Sequence, residues 1–476
     1  MATNVSFSGP SAASLISPSA TKQALANNYL NFHGTNGKNW SQQYLPDLYE
    51  QEVERYGNRT ISSFLRMVSA EMPMASDQVI WSEQGRLHLA YEGQIDPATG
   101  IIDTIIGIDS GTTEAHAVRK GATVVASVGS DVFKAYVTAG IETSTSSLTI
   151  KPYGGANVEN IGSIGATDNQ VIKFFVYGSE YGKGTASMTD AVEPEFKSFT
   201  NKPLIIKDHY EINGSDVSQI GWVEVSGESG QSGYLWYLKA QGDTRVRYED
   251  YLEMVMIEAE KKDGGDTAVP DGSEGLFSAI SSRGIVASNQ FDSSTPAADK
   301  LPEFDLLLKE LDKQGSIEEN MLFLDRDANL YFDDMLAGLN PNISGGLSFG
   351  VFENSQDMAL NLGFSGFRRG SYDFYKTDWK YLNDKSTRGL VGGISGLLVP
   401  AGTSSVYDQQ LGKNVRRPFL HVRYRASETD DRRMKSWITG SVGGASTTGD
   451  DKMEVHYLSE RCLVAQAANN FVLFNS

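Results

Sequence analysis

The sequence predicts an α+β protein, because helical and strand-like segments occupy separate blocks of the chain. Residues 244–262, 301–314 and 325–336 have the apolar spacing of amphipathic helices. Elsewhere, short segments of β-branched and aromatic residues alternate with turn residues, and the 48 glycines against 14 prolines fit a chain with many turns. With 476 residues, the chain is long enough for about two to four compact units.

The helix predicted over residues 244–262 is the clearest of the three, and a Gly-Gly pair at 264–265 ends it. The helix over residues 301–314 has Pro302 in its first turn and Gly315 just past its end. The apolar face of the first helix consists of Tyr248, Leu252, Val255, Met256 and Ala259.

A block of strand-like segments lies between residues 101 and 178. The strands are short and separated at regular intervals by turn residues, a pattern typical of a small barrel or sandwich. From this spacing we predict that residues 113–171 form an inserted small all-β module. We expect the module to form a separate bump that tolerates replacement by a short Gly/Ser linker.

Residues 1–44 are predicted to form an extended N-terminal arm, since small polar residues dominate and too few apolar residues are present to fold alone. The alternatives are a disordered terminus and an arm that orders by lying across neighbouring subunits. In the second case the anchoring residues, which are interface candidates, would be Leu15, Ile16, Leu25, Tyr29, Leu30, Phe32 and Trp40.

The C-terminal part contains two strand-like segments, residues 421–426 and 454–466, which flank a Gly/Ser/Thr-rich turn. Basic residues are denser here than in the rest of the chain. Most such clusters are solvated faces, but in an assembling protein they could meet acidic patches of neighbouring subunits. The interface candidates in this cluster are Arg416, Arg417, Arg432 and Arg433.

The overall charge argues against a nucleic-acid reader. The chain has 41 basic and 60 acidic residues and a net charge of −19, whereas nucleic-acid binders use a basic surface to neutralise phosphates. Cys462 is the only cysteine, so an intrachain disulfide and a cysteine-based zinc site are excluded. No segment has the apolar length of a membrane span, and residues 1–20 lack the features of a signal peptide.

The loop Asp109-Ser110-Gly111-Thr112 is the strongest candidate for chemistry. It resembles the first phosphate loop of the actin and heat-shock-seventy ATPases, and equally the catalytic loop of aspartic proteases. A protease of that kind needs a second such loop, and none occurs in this sequence. Asp-Ser-Gly is also common in hairpin turns, which is the alternative interpretation.

No metal or cofactor site is predicted. Asp325, Asp327 and Asn329 copy the first ligand positions of an EF-hand loop. However, Leu330 and Leu336 stand where the glycine and the glutamate would be required, so an Asp-rich helix start is the better interpretation. The six histidines show no metal-ligand spacing. We therefore predict no catalytic residue and no cofactor.

Several stretches resemble the major capsid proteins of tailed bacteriophages, most closely those of the short-tailed crAss-like phages. They are residues 73–83, 176–185, 364–379 and the C-terminal block. The resemblance implies a Hong Kong 97 type capsid fold. Its parts would be the N-terminal arm (1–44), a peripheral domain with a long spine helix (45–75, 210–275 and 431–476), an extended loop (76–112 and 172–209) carrying the β module (113–171), and an axial domain (276–430).

The function that the resemblance implies is structural. Many copies would self-assemble into pentamers and hexamers of an icosahedral head that encloses double-stranded DNA, located in the virion capsid and assembled in the bacterial host cytoplasm. The implied partners are further copies and other head proteins such as portal, scaffold or decoration proteins, with DNA contacted only non-specifically and no membrane. The alternatives are an enzyme using the Asp109 loop and another virion component such as a tail or portal protein.

Overall fold

The structure is a computed structural model. By its internal contacts the chain divides into two compact units, Met1–Asp77 with Asn201–Ser476, and Gln78–Thr200. The described residues are 64–68, 70–85, 87–107, 116–185, 196–217, 225–226, 232–233, 236–262, 270–288, 301–315, 317–338, 365–408, 413–442 and 448–475.

The described strands and helices are numbered in chain order. The strands are β1 (Ala70–Met74), β2 (Val79–Gln84), β3 (Ala90–Asp96), β4 (Ile101–Gly107), β5 (Ala122–Val128), β6 (Asp131–Ala139), β7 (Leu148–Pro152), β8 (Gln170–Ser179), β9 (Phe196–Asn201), β10 (Leu204–Asn213), β11 (Val225–Ser226), β12 (Ser232–Gly233), β13 (Ile285–Ser288), β14 (Glu319–Leu324), β15 (Ser365–Arg369), β16 (Tyr372–Asp378), β17 (Ile394–Pro400), β18 (Thr403–Asp408), β19 (Lys413–Pro418), β20 (Leu420–Arg425), β21 (Lys435–Gly440), β22 (Lys452–Ala465) and β23 (Val472–Asn475). The helices are α1 (Phe64–Val68), α2 (Gly214–Val217), α3 (Trp236–Glu258), α4 (Leu276–Arg283), α5 (Leu301–Lys313), α6 (Arg326–Gly338), α7 (Lys380–Asn383) and α8 (Arg388–Val391), with short 3₁₀ turns at Val158–Asn160 and Ala468–Asn470.

The first unit contains a five-stranded sheet, sheet A, with the order β1-β20-β22-β10 and with β21 also paired to β22. Helix α3 packs against β10 and β22. The ring of Tyr248 on this helix stacks on Tyr457 of β22 at 5.6 Å between ring centres, and its hydroxyl donates to the Ile206 carbonyl at 3.0 Å. The predicted apolar face of the long helix therefore covers one face of sheet A.

A second sheet of the same unit, sheet B, has six strands in the order β13-β23-β17-β14-β16-β15. One of its faces packs on α5 and α6 through an aromatic cluster of Phe304, Phe332, Phe367 and Phe374. Side chains of its other face belong to the same hydrophobic core as α3, α4 and sheet A. Sheets A and B thus share one continuous core.

The three predicted helices are confirmed, with one difference in length. Helices α5 and α6 begin and end within two residues of the predicted bounds, whereas α3 starts eight residues earlier than predicted and ends at Glu258. The earlier end has a local cause, because the Ala259 carbonyl accepts the N–H of Gly275 at 2.7 Å. A side chain on Gly275 would lie 2.6 Å from backbone atoms of Ala259, so only glycine allows the two backbones to approach so closely.

The two C-terminal strand predictions are confirmed as well. Residues 421–426 and 454–466 fall largely within β20 and β22, which pair antiparallel with Arg423 opposite Cys462. Cys462 is fully buried and packs as a small apolar side chain. Within sheet A, Arg423 of β20 thus lies between β1 and β22.

The second unit contains a closed barrel of six strands in the order β3-β4-β7-β6-β5-β8. Its interior is apolar, and Ile95, Ile102, Val124 and Ile172 are fully buried in it. The barrel is larger than the predicted module of residues 113–171, since β3, β4 and most of β8 lie in segments that were assigned to the extended loop. Those strands are required for closure, because β8 pairs with both β3 and β5.

A separate two-stranded ribbon of β2 and β9 flanks the barrel strands in the chain. Trp81 and Phe199 lie side by side across the ribbon with ring centres 6.0 Å apart, and the hydroxyls of Ser82 and Ser198 are 3.3 Å apart. The ribbon falls within the two segments predicted as legs of an extended loop. The division of the first unit into peripheral and axial domains stays a prediction.

Candidate assembly site

The arm residues predicted as interface candidates lie outside the described residues. This holds for Leu15, Ile16, Leu25, Tyr29, Leu30, Phe32 and Trp40, and likewise for the loop of residues 109–112. The side chains of Arg416 and Arg417 are also outside the described part, although their backbones lie in β19 opposite Ser405 and Ser404. Only Arg432 and Arg433 can be placed with their side chains.

Arg432 belongs to a charge cluster on the face of β22 that points away from α3. It forms an ion pair with Glu460, whose side chain is 8% exposed. Arg425 lies 3.5 Å from the other oxygen of Glu460 and also pairs with Asp77, which raises the pKa of Arg425 above its usual value. Glu460 therefore forms ion pairs with both Arg425 of β20 and Arg432 of the segment that follows β20, at the surface of sheet A.

Arg433 belongs to a second cluster, on the opposite face of β22. Its guanidinium pairs with Glu71 of β1, and the same carboxylate accepts from Arg461 at 3.2 Å. Arg461 also donates to the Ser459 hydroxyl at 2.8 Å and to the Arg433 carbonyl at 2.7 Å. Burial lowers the pKa of Arg461, whose guanidinium stays protonated in proteins.

The two clusters follow from the alternation of β22. Side chains of successive residues in a strand lie on opposite faces, so the side chains of Glu460 and Arg461 lie on different faces of sheet A. Together they connect β22 with β1 and with the segment that follows β20. Both Arg432 and Arg433 have carboxylate partners within the chain, and their contact with neighbouring subunits stays a prediction.

An exposed ladder of rings crosses sheet A, and sequence inspection did not find it. The ring of Trp437 stacks on His456 at 5.2 Å, and His456 stacks on His209 at 6.3 Å. The Thr439 hydroxyl lies 2.8 Å from Nε2 of His456, and Trp437 is 38% exposed. The three rings belong to adjacent strands, so only the pairing register, and no local motif, brings them together.

The outer wall of the barrel carries a further exposed aromatic set. Phe175 and Tyr177 point outward from β8 and are 48% and 49% exposed. Lys134 lies 6.0 Å from the ring centre of Tyr177. The Tyr153 hydroxyl donates to Glu180 at 2.6 Å, which raises the pKa of Tyr153 to about 12. The alternation of Val171, Lys173, Phe175 and Tyr177 is the sequence signal for this wall.

Three observations on the described residues concern metal binding and nucleophiles. Among them, no group of three or more histidine, cysteine or acidic side chains could hold a metal ion. Burial raises the pKa of the Cys462 thiol to about 12, so the thiol is neutral at ordinary pH. Both ring nitrogens of buried His116 are engaged, one with the Ser147 carbonyl and one with the Val118 N–H.

The EF-hand-like segment is a helix start, as predicted. The Asp325 carboxylate accepts the N–H of Ala328 at 2.6 Å, and α6 begins at the next residue, Arg326. Burial raises the pKa of Asp325. Of the helices that the structure describes, none is long and apolar enough to cross a membrane.

We predict that Asp109→Asn leaves assembly and particle yield unchanged within about twofold, because Asp-Ser-Gly is ordinary hairpin chemistry. The measurement is particle yield on a sucrose gradient, with Asp103→Asn as a control at an exposed position of β4. ATPase and protease assays on both proteins complete the test. Hydrolytic activity in the wild type that disappears in Asp109→Asn would contradict a purely structural role.

Comparisons with known proteins give likenesses to solved structures only. No family model matches the chain, and no curated protein does. The chain is similar to a chain of Mycobacterium phage Ogopogo, with 12% identity, a TM-score of 0.41, and coverage of 90% of this chain and 96% of that one. It is also similar to a chain of Microbacterium phage Oxtober96, with 9% identity, a TM-score of 0.40, and coverage of 91% and 95%.

A third similar structure is described as the asymmetric unit of the bacteriophage PhiM1 mature capsid. The identity is 8% and the TM-score 0.40, with 96% of this chain and 98% of that chain covered. Identities of 8–12% and TM-scores of 0.40–0.41 are low. The assignment of a function therefore depends on the chain's own residues and strand order.

Proposed function

We propose that this chain is a major capsid protein of a tailed bacteriophage, of the Hong Kong 97 type and most like those of crAss-like phages. Many copies assemble into pentamers and hexamers and close into an icosahedral shell around double-stranded DNA. Assembly takes place in the bacterial host cytoplasm, and the protein resides in the virion capsid. Its partners are further copies and other head proteins, with DNA contacted only non-specifically.

The order of elements along the chain is the observation that carries this proposal. A polar N-terminal segment is followed by a β-ribbon (β2 and β9) whose two strands enclose the barrel in sequence. A helix of 23 residues then packs on sheet A, and most of sheet B with its helices follows before the chain returns to sheet A in β20, β21 and β22 and ends in β23 of sheet B. Arm, extended loop, spine helix, axial domain and final β segment follow one another in the same order in the Hong Kong 97 fold.

The negative net charge and the exposed aromatic side chains are consistent with a shell protein that encloses DNA. With a net charge of −19, an inner wall made of such subunits repels DNA, so packaged DNA does not stick to it. Exposed rings lie on sheet A and on the barrel wall, and aromatic side chains are enriched at contacts between proteins. Weak contacts of many copies add up through multivalency in a closed shell.

Negative-stain microscopy of the purified protein tests the proposal. We expect five- and six-fold capsomers or closed shells, either on purification or after concentration in the presence of a crowding agent. Tubes, rings of a single larger symmetry, or monomers under all conditions would contradict the proposal. Tubes would favour a tail component and rings a portal.

We predict that the arm becomes protected only on assembly. Burying a large apolar side chain gives roughly 1.5–3 kcal/mol, whereas ordering one residue costs about 1–2 kcal/mol, so the few anchors of residues 1–44 cannot order it alone. Adding a strand to a neighbouring sheet would supply the missing backbone hydrogen bonds. Amides between Leu15 and Trp40 should exchange at least about tenfold more slowly in assembled particles than in subunits.

Hydrogen exchange measured by mass spectrometry before and after assembly makes this comparison. Peptides of the barrel interior, such as those of β5, serve as the control, because their protection should not change. Fast exchange of the arm in both states would identify it as a tail that does not clamp neighbours.

A further inference from the structure

The side chain of Asn201, the last residue of β9, is completely buried. An asparagine amide has two N–H donors and one oxygen acceptor, and a buried amide needs partners for all of them. Its Nδ2 donates to the Leu463 carbonyl at 2.7 Å and to the Glu274 carbonyl at 3.0 Å. Both donors of the amide are therefore satisfied inside the first unit.

The amide oxygen of Asn201 is satisfied as well. It accepts the Ser273 hydroxyl at 3.1 Å, the Glu274 N–H at 2.9 Å and the Lys202 N–H at 2.9 Å. Carbonyl oxygens surround the nitrogen and donors surround the oxygen, so only one orientation of the amide fits. A carboxylate or an alkyl side chain at this position could not make the same set of hydrogen bonds.

The chain enters the first unit at Asn201, directly after the ribbon of β2 and β9. The residues that bind its amide come from two distant parts of that unit, since Ser273 and Glu274 precede α4 and Leu463 lies in β22. Asn201 and Leu463 are 262 positions apart in the sequence. We name this set, Asn201, Ser273, Glu274 and Leu463, the ribbon anchor.

The partners of Asn201 are themselves fixed in the core of the first unit. Leu463 is buried in β22, which lies between β20 and β10 in sheet A. The N–H of Gly275, the residue after Glu274, donates to the Ala259 carbonyl at 2.7 Å. Because the amide binds backbone groups that cannot shift without disturbing this core, the end of β9 has one position in the first unit.

The other point where the chain passes from one unit to the next is held differently. There, Asp77 is 88% exposed and pairs with Arg425. Exposed ion pairs add little to stability, because water competes for both charges. The side chain of Asp77 is thus a weaker attachment than the buried amide of Asn201.

We propose that Asn201 is a positioning residue for assembly: it gives the ribbon one fixed attachment to the first unit and so fixes the angle at which subunits meet. The inference rests on the proposed function, in which the ribbon belongs to an extended loop that contacts a neighbouring subunit of the shell. Contacts between different surfaces close into a ring or shell only when each repeats the same rotation. A loose attachment would vary this rotation and give particles of irregular size.

The test separates the ribbon from the ribbon anchor without removing any hydrogen bond of the amide. Two glycines are inserted between Thr200 and Asn201, which leaves the whole ribbon anchor within the first unit. The matched control carries two glycines between Asp77 and Gln78, at the other passage between the units. Replacing Asn201 itself would be less informative, because the loss of buried hydrogen bonds alone lowers stability.

Subunits are compared by circular dichroism and thermal unfolding, and assembled particles by negative-stain microscopy. We expect both insertion variants to unfold at the wild-type temperature. The share of particles with the wild-type diameter should fall at least about tenfold for the insertion before Asn201, and change less than about twofold for the control, because only the first insertion loosens the fixed attachment.

Ser273→Ala is a second variant, which removes one donor from the amide oxygen and keeps the chain length. Since Lys202 and Glu274 still donate to the same oxygen, we expect unfolding near the wild-type temperature but a wider spread of particle diameters.

Particles of wild-type diameter from both Ser273→Ala and the insertion before Asn201 would overturn the inference and leave the proposed function intact. Equal losses for the two insertions would also overturn it, because the buried amide would then matter no more than the surface ion pair. An insertion before Asn201 that lowers the unfolding temperature would assign the residue to stability alone, with the same consequence. Wild-type protein that forms no shells would overturn the proposed function, and the inference with it.

Discussion

Replacing residues 113–170 by a short Gly/Ser linker is expected to give insoluble protein, whereas replacing residues 90–179 should leave the first unit folded. The shorter deletion removes β5, β6 and β7, so β3, β4 and β8 still pair with one another but can no longer close into a barrel. The side chains that it would expose are almost completely buried at present: Ile95, Ile102, Ile105, Ile172 and Phe174.

The free-energy cost of exposing these side chains explains why the two deletions are expected to differ. At roughly 1.5–3 kcal/mol per side chain, exposing these five costs about 8–15 kcal/mol. This is comparable to the whole stability of a domain, about 5–15 kcal/mol. The longer replacement avoids the cost because it removes the complete apolar interior.

The chain ends left by the longer replacement are close enough to join. Ala90 pairs with Phe175, and the Leu89 carbonyl accepts the N–H of Val176 at 3.0 Å. A linker of six residues, which reaches up to about 20 Å, spans from Leu89 to Glu180. The measurements are the yield of soluble protein and the thermal unfolding curve of each deletion variant. A soluble, cooperatively unfolding protein after the shorter deletion would contradict the expectation.

Arg461→Ala is expected to lower the free energy of unfolding of the first unit by about 3 kcal/mol, the size typical of breaking a buried charge network. The side chain of Arg461 is 8% exposed and donates to Ser459, to the Arg433 carbonyl and to Glu71. Its removal takes one hydrogen-bond donor from each of these three acceptors and opens a cavity beside α3.

Arg433→Ala is the matched control, since Arg433 pairs with the same carboxylate but its side chain is 57% exposed. Exposed ion pairs contribute about 0–1 kcal/mol, so this variant should differ little from the wild type. Calorimetry compares the two melting temperatures. Equal, small losses in both variants would mean that Arg461 is not needed for the stability of sheet A.

Local patterns in the sequence predicted the helices and several strands. Helices α5 and α6 were predicted within two residues of their observed bounds. Gly315 follows the first of them with a φ of +88°, and Asp325 caps the second. Helix α3 was predicted to start at Thr244, but the Thr244 hydroxyl instead bonds to the Ala240 carbonyl within a helix that has already begun.

Long-range pairing could not be predicted from one sequence. Closure of the barrel depends on β8 pairing with both β3 and β5, and no local pattern records which strands become neighbours. The contact between Glu71 and Arg461 joins residues 390 positions apart. Arg461 itself lies in an apolar run, where its burial is visible only once its three acceptors are placed.

The position of residues 452–475 has a consequence for the time at which the subunit can fold. Strand β22 lies between β20 and β10 in sheet A, and β23 lies between β13 and β17 in sheet B. Neither sheet is continuous until these two strands have left the ribosome, whereas every strand of the barrel lies within residues 90–179. During synthesis the barrel can therefore fold while the rest of the chain is still growing. The surfaces of the first unit form only after residues 452–475 have been synthesised, which delays association between chains that still lack these two strands.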